Sequence, residues 1–143
     1  MPLEQLDHVG VLVDDIEEAR AFLGETLGLE LVREAQPAEL GVSALFYRCG
    51  AVMIEAFQIS DPQSAIRPLE SGQRARIDHL AVEVDDMGAV LASLARSGVC
   101  PATVGVPDAS TAEPMPLAGN LNAWTEPETS DGVIYQLIEK GAG

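Results

Sequence analysis

Four residues of this 143-residue chain have types and spacing that suit metal chemistry: His8, Glu55, His79 and Gln136. His8 stands in Leu6-Asp7-His8-Val9-Gly10-Val11-Leu12-Val13-Asp14-Asp15, and His79 in Ile77-Asp78-His79-Leu80-Ala81-Val82-Glu83-Val84-Asp85-Asp86. The two stretches align residue for residue, matching Asp7 with Asp78, Asp14 with Asp85 and Asp15 with Asp86. Glu55 lies in Val52-Met53-Ile54-Glu55-Ala56-Phe57, and Gln136 in Val133-Ile134-Tyr135-Gln136-Leu137-Ile138. A carboxylate or carboxamide among apolar strand residues is costly to bury without a partner, and a metal ion is one such partner. Two imidazoles, a carboxylate and a carboxamide oxygen form a mixed N/O set. Such a set suits a first-row divalent metal or Mg²⁺, with positions left for water or substrate. One strand histidine alone is more often structural than a ligand; the matched placement is what makes these four a set.

Positioning them requires a duplicated module. Each histidine sits on a strand of aliphatic residues closed by an Asp-Asp pair that can cap a following helix. Val9 and Leu80 then face away from the histidines. The first helix is predicted over Ile16 to Leu27, with Ile16, Ala19, Phe22, Leu23 and Leu27 at helical spacing and Gly28 to end it. Strands follow at Leu29 to Glu34, Val42 to Arg48 and Ala51 to Gln58, separated by the Gln36 to Gly41 loop and the Cys49-Gly50 turn. The second half repeats the plan. A helix is predicted from Met87 to Ser97, ended by Gly98, and strands at Val99 to Val106, Leu121 to Glu126 and Gly132 to Glu139. Each half reads β-α-β-β-β. The expected organisation is a single domain over 1–143, with module one at about 4–60, a connector at about 61–76 and module two at about 77–140. Pro107 to Gly119 reads as a long irregular loop, either a lid or a mobile surface segment.

The bulk composition narrows the partners. Net charge of −15 argues against nucleic acid and anionic membranes. No apolar run approaches a membrane span, and Met1-Pro2-Leu3-Glu4-Gln5 lacks the basic and apolar regions of a signal peptide, so the cytoplasm is the expected compartment. Cys49 and Cys100 lack metal-ligand spacing and are expected to be reduced. An anionic ligand would need a local basic pocket. Arg67, Arg74 and Arg76, three of the eight basic residues, lie together in the connector, either as a solvated linker or as an anion clamp.

These features resemble the vicinal oxygen chelate superfamily, which includes glyoxalase I, methylmalonyl-CoA epimerase, extradiol dioxygenases and the bleomycin- and fosfomycin-resistance proteins. Within it, the nearest resemblance is to methylmalonyl-CoA epimerase. It is carried by Asp7-His8-Val9, Glu39-Leu40-Gly41-Val42, Asp78-His79-Leu80 through Val84-Asp85-Asp86, Gly119-Asn120-Leu121-Asn122 and Gly132-Val133-Ile134. The resemblance runs from about Leu6 to Glu139. It implies an α+β fold, with paired βαβββ modules forming a cupped mixed sheet around a metal site. It also implies that His8, Glu55, His79 and Gln136 ligate one divalent metal (Co, Ni, Zn, Mn, Fe or Mg), that Asn120 joins the arginines in substrate binding, and that the protein is a homodimer.

Two departures from the epimerase pattern bear on chemistry. Epimerases typically place Gln at the end of module one and Glu at the end of module two; here the two are exchanged, as Glu55 and Gln136. Their additional acidic base follows the Gly-Val pair by two residues, where this chain has Ala44, which cannot move a proton. Gln136 also counts against glyoxalase I and ring-cleaving dioxygenase activities. The expectation is a metal-dependent isomerase, epimerase or lyase of a small carbonyl or acyl-thioester substrate, possibly an acyl-CoA, working through a metal-stabilised enolate with Glu55 as base. A metal hydroxide is the competing base, and Tyr47, Tyr135, Glu113 and Glu126 are reserves. The alternative is a resistance-type protein that sequesters its ligand.

Overall fold

The computed structural model describes residues 3–102 and 113–141. Its framework is a mixed sheet of nine strands with two helices. The chain divides into two compact units: residues 8–78, and residues 3–7 with 79–102 and 113–141. The first strand, β1 (Leu3–Val13), begins in one unit and ends in the other.

In the unit of residues 8–78, α1 (Ile16–Arg20) follows β1, and then come β2 (Glu30–Ala35), β3 (Val42–Cys49) and β4 (Val52–Ile59). Their order is β2-β3-β4-β1; β1 and β4 are parallel and the other pairs antiparallel. Alternation along the strands sorts side chains onto two faces. Leu12, Val42, Ala44, Phe46 and Phe57 pack on one, covered by Leu40 and the connector residues Ile66 and Leu69. Leu45, Tyr47 and Ala56 pack on the other, with Leu23, Ile16 and Ala19 of the helical segment. The Asp15 side chain accepts from the Glu17 and Glu18 amides, as the Asp-Asp motif predicts. The Ile16 amide is taken by Gln58 Oε1 at 2.9 Å, so the last strand holds the helix start as well.

The helix predicted over Ile16 to Leu27 is regular only to Arg20. Residues Ala21–Thr26 form a π-helical turn, in which the Leu27 amide reaches the Phe22 carbonyl. Tyr47, buried beneath the helix, donates its hydroxyl to the Arg20 carbonyl at 3.5 Å where the ladder changes. A side chain inserted at that point is an ordinary cause of such a switch.

The strand β5 (Ala75–Val84) begins in the unit of residues 8–78 and ends in the other, where it leads to α2 (Met87–Arg96), β6 (Pro101–Ala102), β7 (Met115–Leu117), β8 (Asn120–Thr125) and β9 (Ile134–Glu139). The order is β5-β9-β8-β6, with β7 paired to β8. Val84, Met87, Val90, Ala123 and Leu137 form the core between α2 and the sheet. Asp86 caps the Ala89 amide, and Glu139 Oε1 accepts from the Met87 amide at 2.7 Å, the counterpart of Gln58 on α1. Gly98 ends α2 in the left-handed region, φ 84°, with the Val99 amide bonded back to Leu94; Gly28 does the same for the first helical segment at φ 72°. Two boundaries differ from the sequence reading. Met115–Leu117, expected within an irregular loop, is a strand on β8, and only Pro101–Ala102 of the strand expected over Val99 to Val106 is seen as one. Residues 103–112, which hold the rest of that strand and much of the expected loop, lie outside the described residues.

Candidate metal centre

The parallel strand pairs place the candidate ligands in one recurring register. On β1 and β4, Gly10 pairs with Glu55, so His8 lies two residues before Glu55's partner and on the same face. On β5 and β9, Ala81 pairs with Gln136, and His79 stands in the same relation. The residues directly beside Glu55 and Gln136 are thus Gly10 and Ala81, which leave room on that face.

On the antiparallel side, Phe46 pairs with Glu55 and Trp124 with Gln136. Glu55 and Gln136 therefore each have an aromatic residue as cross-strand neighbour, a correspondence the matching of the histidine stretches does not reveal. All four candidates are buried: His8 4% exposed, Glu55 8%, His79 7% and Gln136 9%. Four polar side chains this deep each need a partner of their own polarity.

In the unit of residues 8–78, His8 Nε2 lies 3.2 Å from Glu55 Oε1. The His8 ring meets Phe46 edge-on, with centroids 5.3 Å apart, and the Arg33 guanidinium covers the Phe46 ring at 4.0 Å. In the other unit, Gln136 Nε2 donates to Asn122 Oδ1 at 2.9 Å, so the ligand atom Gln136 can offer is its carbonyl oxygen Oε1. Within the unit of residues 8–78, His8 and Glu55 thus bring a ring nitrogen and a carboxylate oxygen together as two candidate metal donors. An imidazole beside a buried carboxylate supplies what a divalent ion requires, neutral nitrogen and anionic oxygen together.

The expected substrate-binding residues are placed differently. Arg76 donates to Asp78 at 3.0 Å and to the Arg67 and Pro68 carbonyls at 2.7 and 3.2 Å, which ties the connector down. Arg74 pairs with Glu18 at 2.7 Å beside a cavity of about 560 Å³ under α1, lined by Val11, Val13, Ile54 and Ala56. That cavity lies on the helix side of the sheet, opposite the face that carries Glu55. Arg67 is exposed, and Asn120 Oδ1 accepts from the Gly141 amide at 2.9 Å. Of the reserve bases, Tyr47 is also on the helix side, and burial pushes its phenol up. Ala44 sits in the apolar cluster with Phe46 and Phe57, where it has no proton to give or take.

A glyoxalase/bleomycin resistance protein/dioxygenase superfamily model matches residues 7–115. The chain belongs to this superfamily. It is 32% identical over 93 residues to the mitochondrial methylmalonyl-CoA epimerase of Bos taurus, covering 64% of this chain and 53% of that enzyme. The chain thus matches about half the length of that relative. Its fold is that of the Mycobacterium tuberculosis methylmalonyl-CoA epimerase crystal structure, with TM-score 0.83, 23% identity and coverage of 98% of this chain and 90% of the other. A Streptomyces coelicolor methylmalonyl-CoA epimerase variant, solved with 2-nitronate-propionyl-CoA, is similar at TM-score 0.82 and 20% identity, over 98% of this chain and 99% of the other. No helix among the described residues is long and apolar enough to cross a membrane.

Proposed function

We propose that this protein is a metal-dependent isomerase or epimerase of an acyl thioester of the acyl-CoA class, with His8, Glu55, His79 and Gln136 as metal ligands and Glu55 as the base. The observation that carries the reading is the Glu55 carboxylate, buried beside His8 at 3.2 Å with Phe46 as its strand neighbour. The similarity to methylmalonyl-CoA epimerases over about two thirds of the chain supports the substrate class. A divalent metal, when bound, supplies Lewis-acid stabilisation of the enolate oxygen.

The chain's own residues do the rest. His8 and His79 provide neutral nitrogen donors. Glu55 is the one carboxylate of the set, so removal of the proton next to the thioester carbonyl falls to its oxygen. The apolar wall around it, Leu12, Phe46 and Phe57, limits water and strengthens its interactions with nearby charge. Gln136 adds an oxygen donor without a second negative charge. With Ala44 in the place of a second acid, Glu55 both takes and returns the proton on one face of the enolate, so inversion requires the enolate to turn before it is reprotonated, and exchange of the Glu55 proton with solvent runs ahead of inversion.

The test is proton exchange into methylmalonyl-CoA in D₂O, followed by NMR, on protein reconstituted with Co²⁺. Wild type is expected to exchange, and Glu55→Gln to lose between about 10² and 10⁴ in rate, the usual worth of a general base. Unchanged exchange in Glu55→Gln would overturn the base assignment. Elemental mass spectrometry on wild type, His8→Ala and His79→Ala tests the ligand set: about one metal per chain in wild type and loss in both variants is the expected result.

A further inference from the structure

We infer that Asn122 is a positioning residue that fixes which end of the Gln136 amide is offered as a ligand. The inference rests on the metal reading above. Asn122 is 4% exposed, on β8, and shares the sheet face of Gln136 and Trp124. Its Nδ2 donates to the main-chain carbonyls of Met115 and Asn120, both at 3.4 Å. Those two acceptors belong to β7 and the start of β8, and they set the orientation of the Asn122 amide. Its oxygen is thereby turned to residue 136, where it accepts from Gln136 Nε2 at 2.9 Å.

This arrangement has a direct chemical consequence. A carboxamide can ligate a cation through oxygen but repels it through its NH₂ group, and the two ends have nearly the same shape. Without a fixed acceptor, the Gln136 amide is held in neither orientation. With Asn122 Oδ1 in place, the NH₂ end is occupied and Oε1 is what remains to serve as the donor. The same contact explains why residue 136 is Gln here. A carboxylate at 136 would set oxygen against the Asn122 oxygen, with no hydrogen between them. At the matching register of the other unit stands Ala44, and Glu55 there lies beside His8.

The experiment is a competition titration of Co²⁺ against a fluorescent chelator, on the full chain, for wild type, Asn122→Leu, Gln136→Ala and the double variant. Asn122→Leu is expected to weaken Co²⁺ by about 10- to 100-fold, the range usual for residues that orient metal ligands. Gln136→Ala should weaken it by a similar factor. The double variant should be no weaker than Gln136→Ala alone, because Asn122 acts only through Gln136. A structural role would instead give effects that multiply, and that result would overturn the inference, as would Asn122→Leu binding Co²⁺ within twofold of wild type. Circular dichroism checks the fold, and Asn122→Ala replaces the leucine variant if that one fails to fold. Wild-type protein that binds no Co²⁺ would refute the metal reading itself and this inference with it, an outcome distinct from unchanged affinity in the variant.

Discussion

Phe46 is the side chain on which the order of His8 depends, and Phe46→Leu isolates that role. The phenyl ring lies between two groups: the His8 imidazole meets it edge-on at 5.3 Å and 90°, and the Arg33 guanidinium covers it at 4.0 Å. Leucine keeps much of the buried apolar volume but has no ring. An edge-to-face pair contributes about 1 kcal/mol beyond its buried area. The cation–π contact of Arg33, an exposed residue, adds about 0.5 kcal/mol. The expected loss is about 1.5 kcal/mol, or a Tm lower by about 3–6 °C for a chain of this size. Arg33→Met removes only the cation and should cost about a third as much. Urea denaturation of both variants gives the stabilities, and Co²⁺ titration reads the site. Phe46→Leu should also weaken Co²⁺, because His8 loses the ring that sets its plane, whereas Arg33→Met should leave Co²⁺ affinity unchanged. A Phe46→Leu protein as stable as wild type, or one that binds Co²⁺ with wild-type affinity, would refute this account of how His8 is held.

Two further predictions concern parts of the scaffold. Asp86→Ala and Glu139→Ala each remove an acceptor from the first amides of α2, and each should cost about 1 kcal/mol in urea denaturation with Co²⁺ affinity unchanged. Tyr47→Phe should alter the alkaline limb of stability. Burial raises the Tyr47 phenol above its ordinary value of 10.0, so as pH climbs the unfolded chain releases this proton first and wild-type stability falls. The variant lacks this titration, so its stability should fall less steeply above about pH 10, and parallel curves would contradict the burial argument.

The repeat was legible because it is written in residue types. Matching His, Asp-Asp and apolar alternation mark both first strands, both helix starts and the four candidate ligands. What lay hidden depends on partners distant in sequence. Gln58 and Glu139 cap helices from the far ends of strands β4 and β9, and no local pattern marks a residue that will meet an amide about forty or fifty positions away. The π turn after Arg20 is hidden for the same reason, since the side chain that meets the Arg20 carbonyl there, Tyr47, comes from β3. The arginines are near one another in sequence, yet Arg74 meets Glu18 while Arg76 meets Asp78 and the Arg67 and Pro68 carbonyls.

Asn122 shows where sequence reading could have gone further. Its position relative to Gln136 is that of Ala44 relative to Glu55, so the two halves share one backbone register and differ in what they place there. Aligning the modules at their last two strands, as well as at their histidines, sets Ala44 against Asn122, Phe46 against Trp124 and Glu55 against Gln136. The first of these pairs is the one that changes chemistry. A methyl group asks nothing of its neighbour, and Glu55 meets His8. A carboxamide anchored by two main-chain carbonyls requires a hydrogen-bond donor, and Gln136 supplies it. The single negative charge of the candidate ligand set thus sits on the half that has a methyl group, not a carboxamide, at this position. That asymmetry follows from the hydrogen-bonding inventory of two positions that a duplicated backbone makes equivalent.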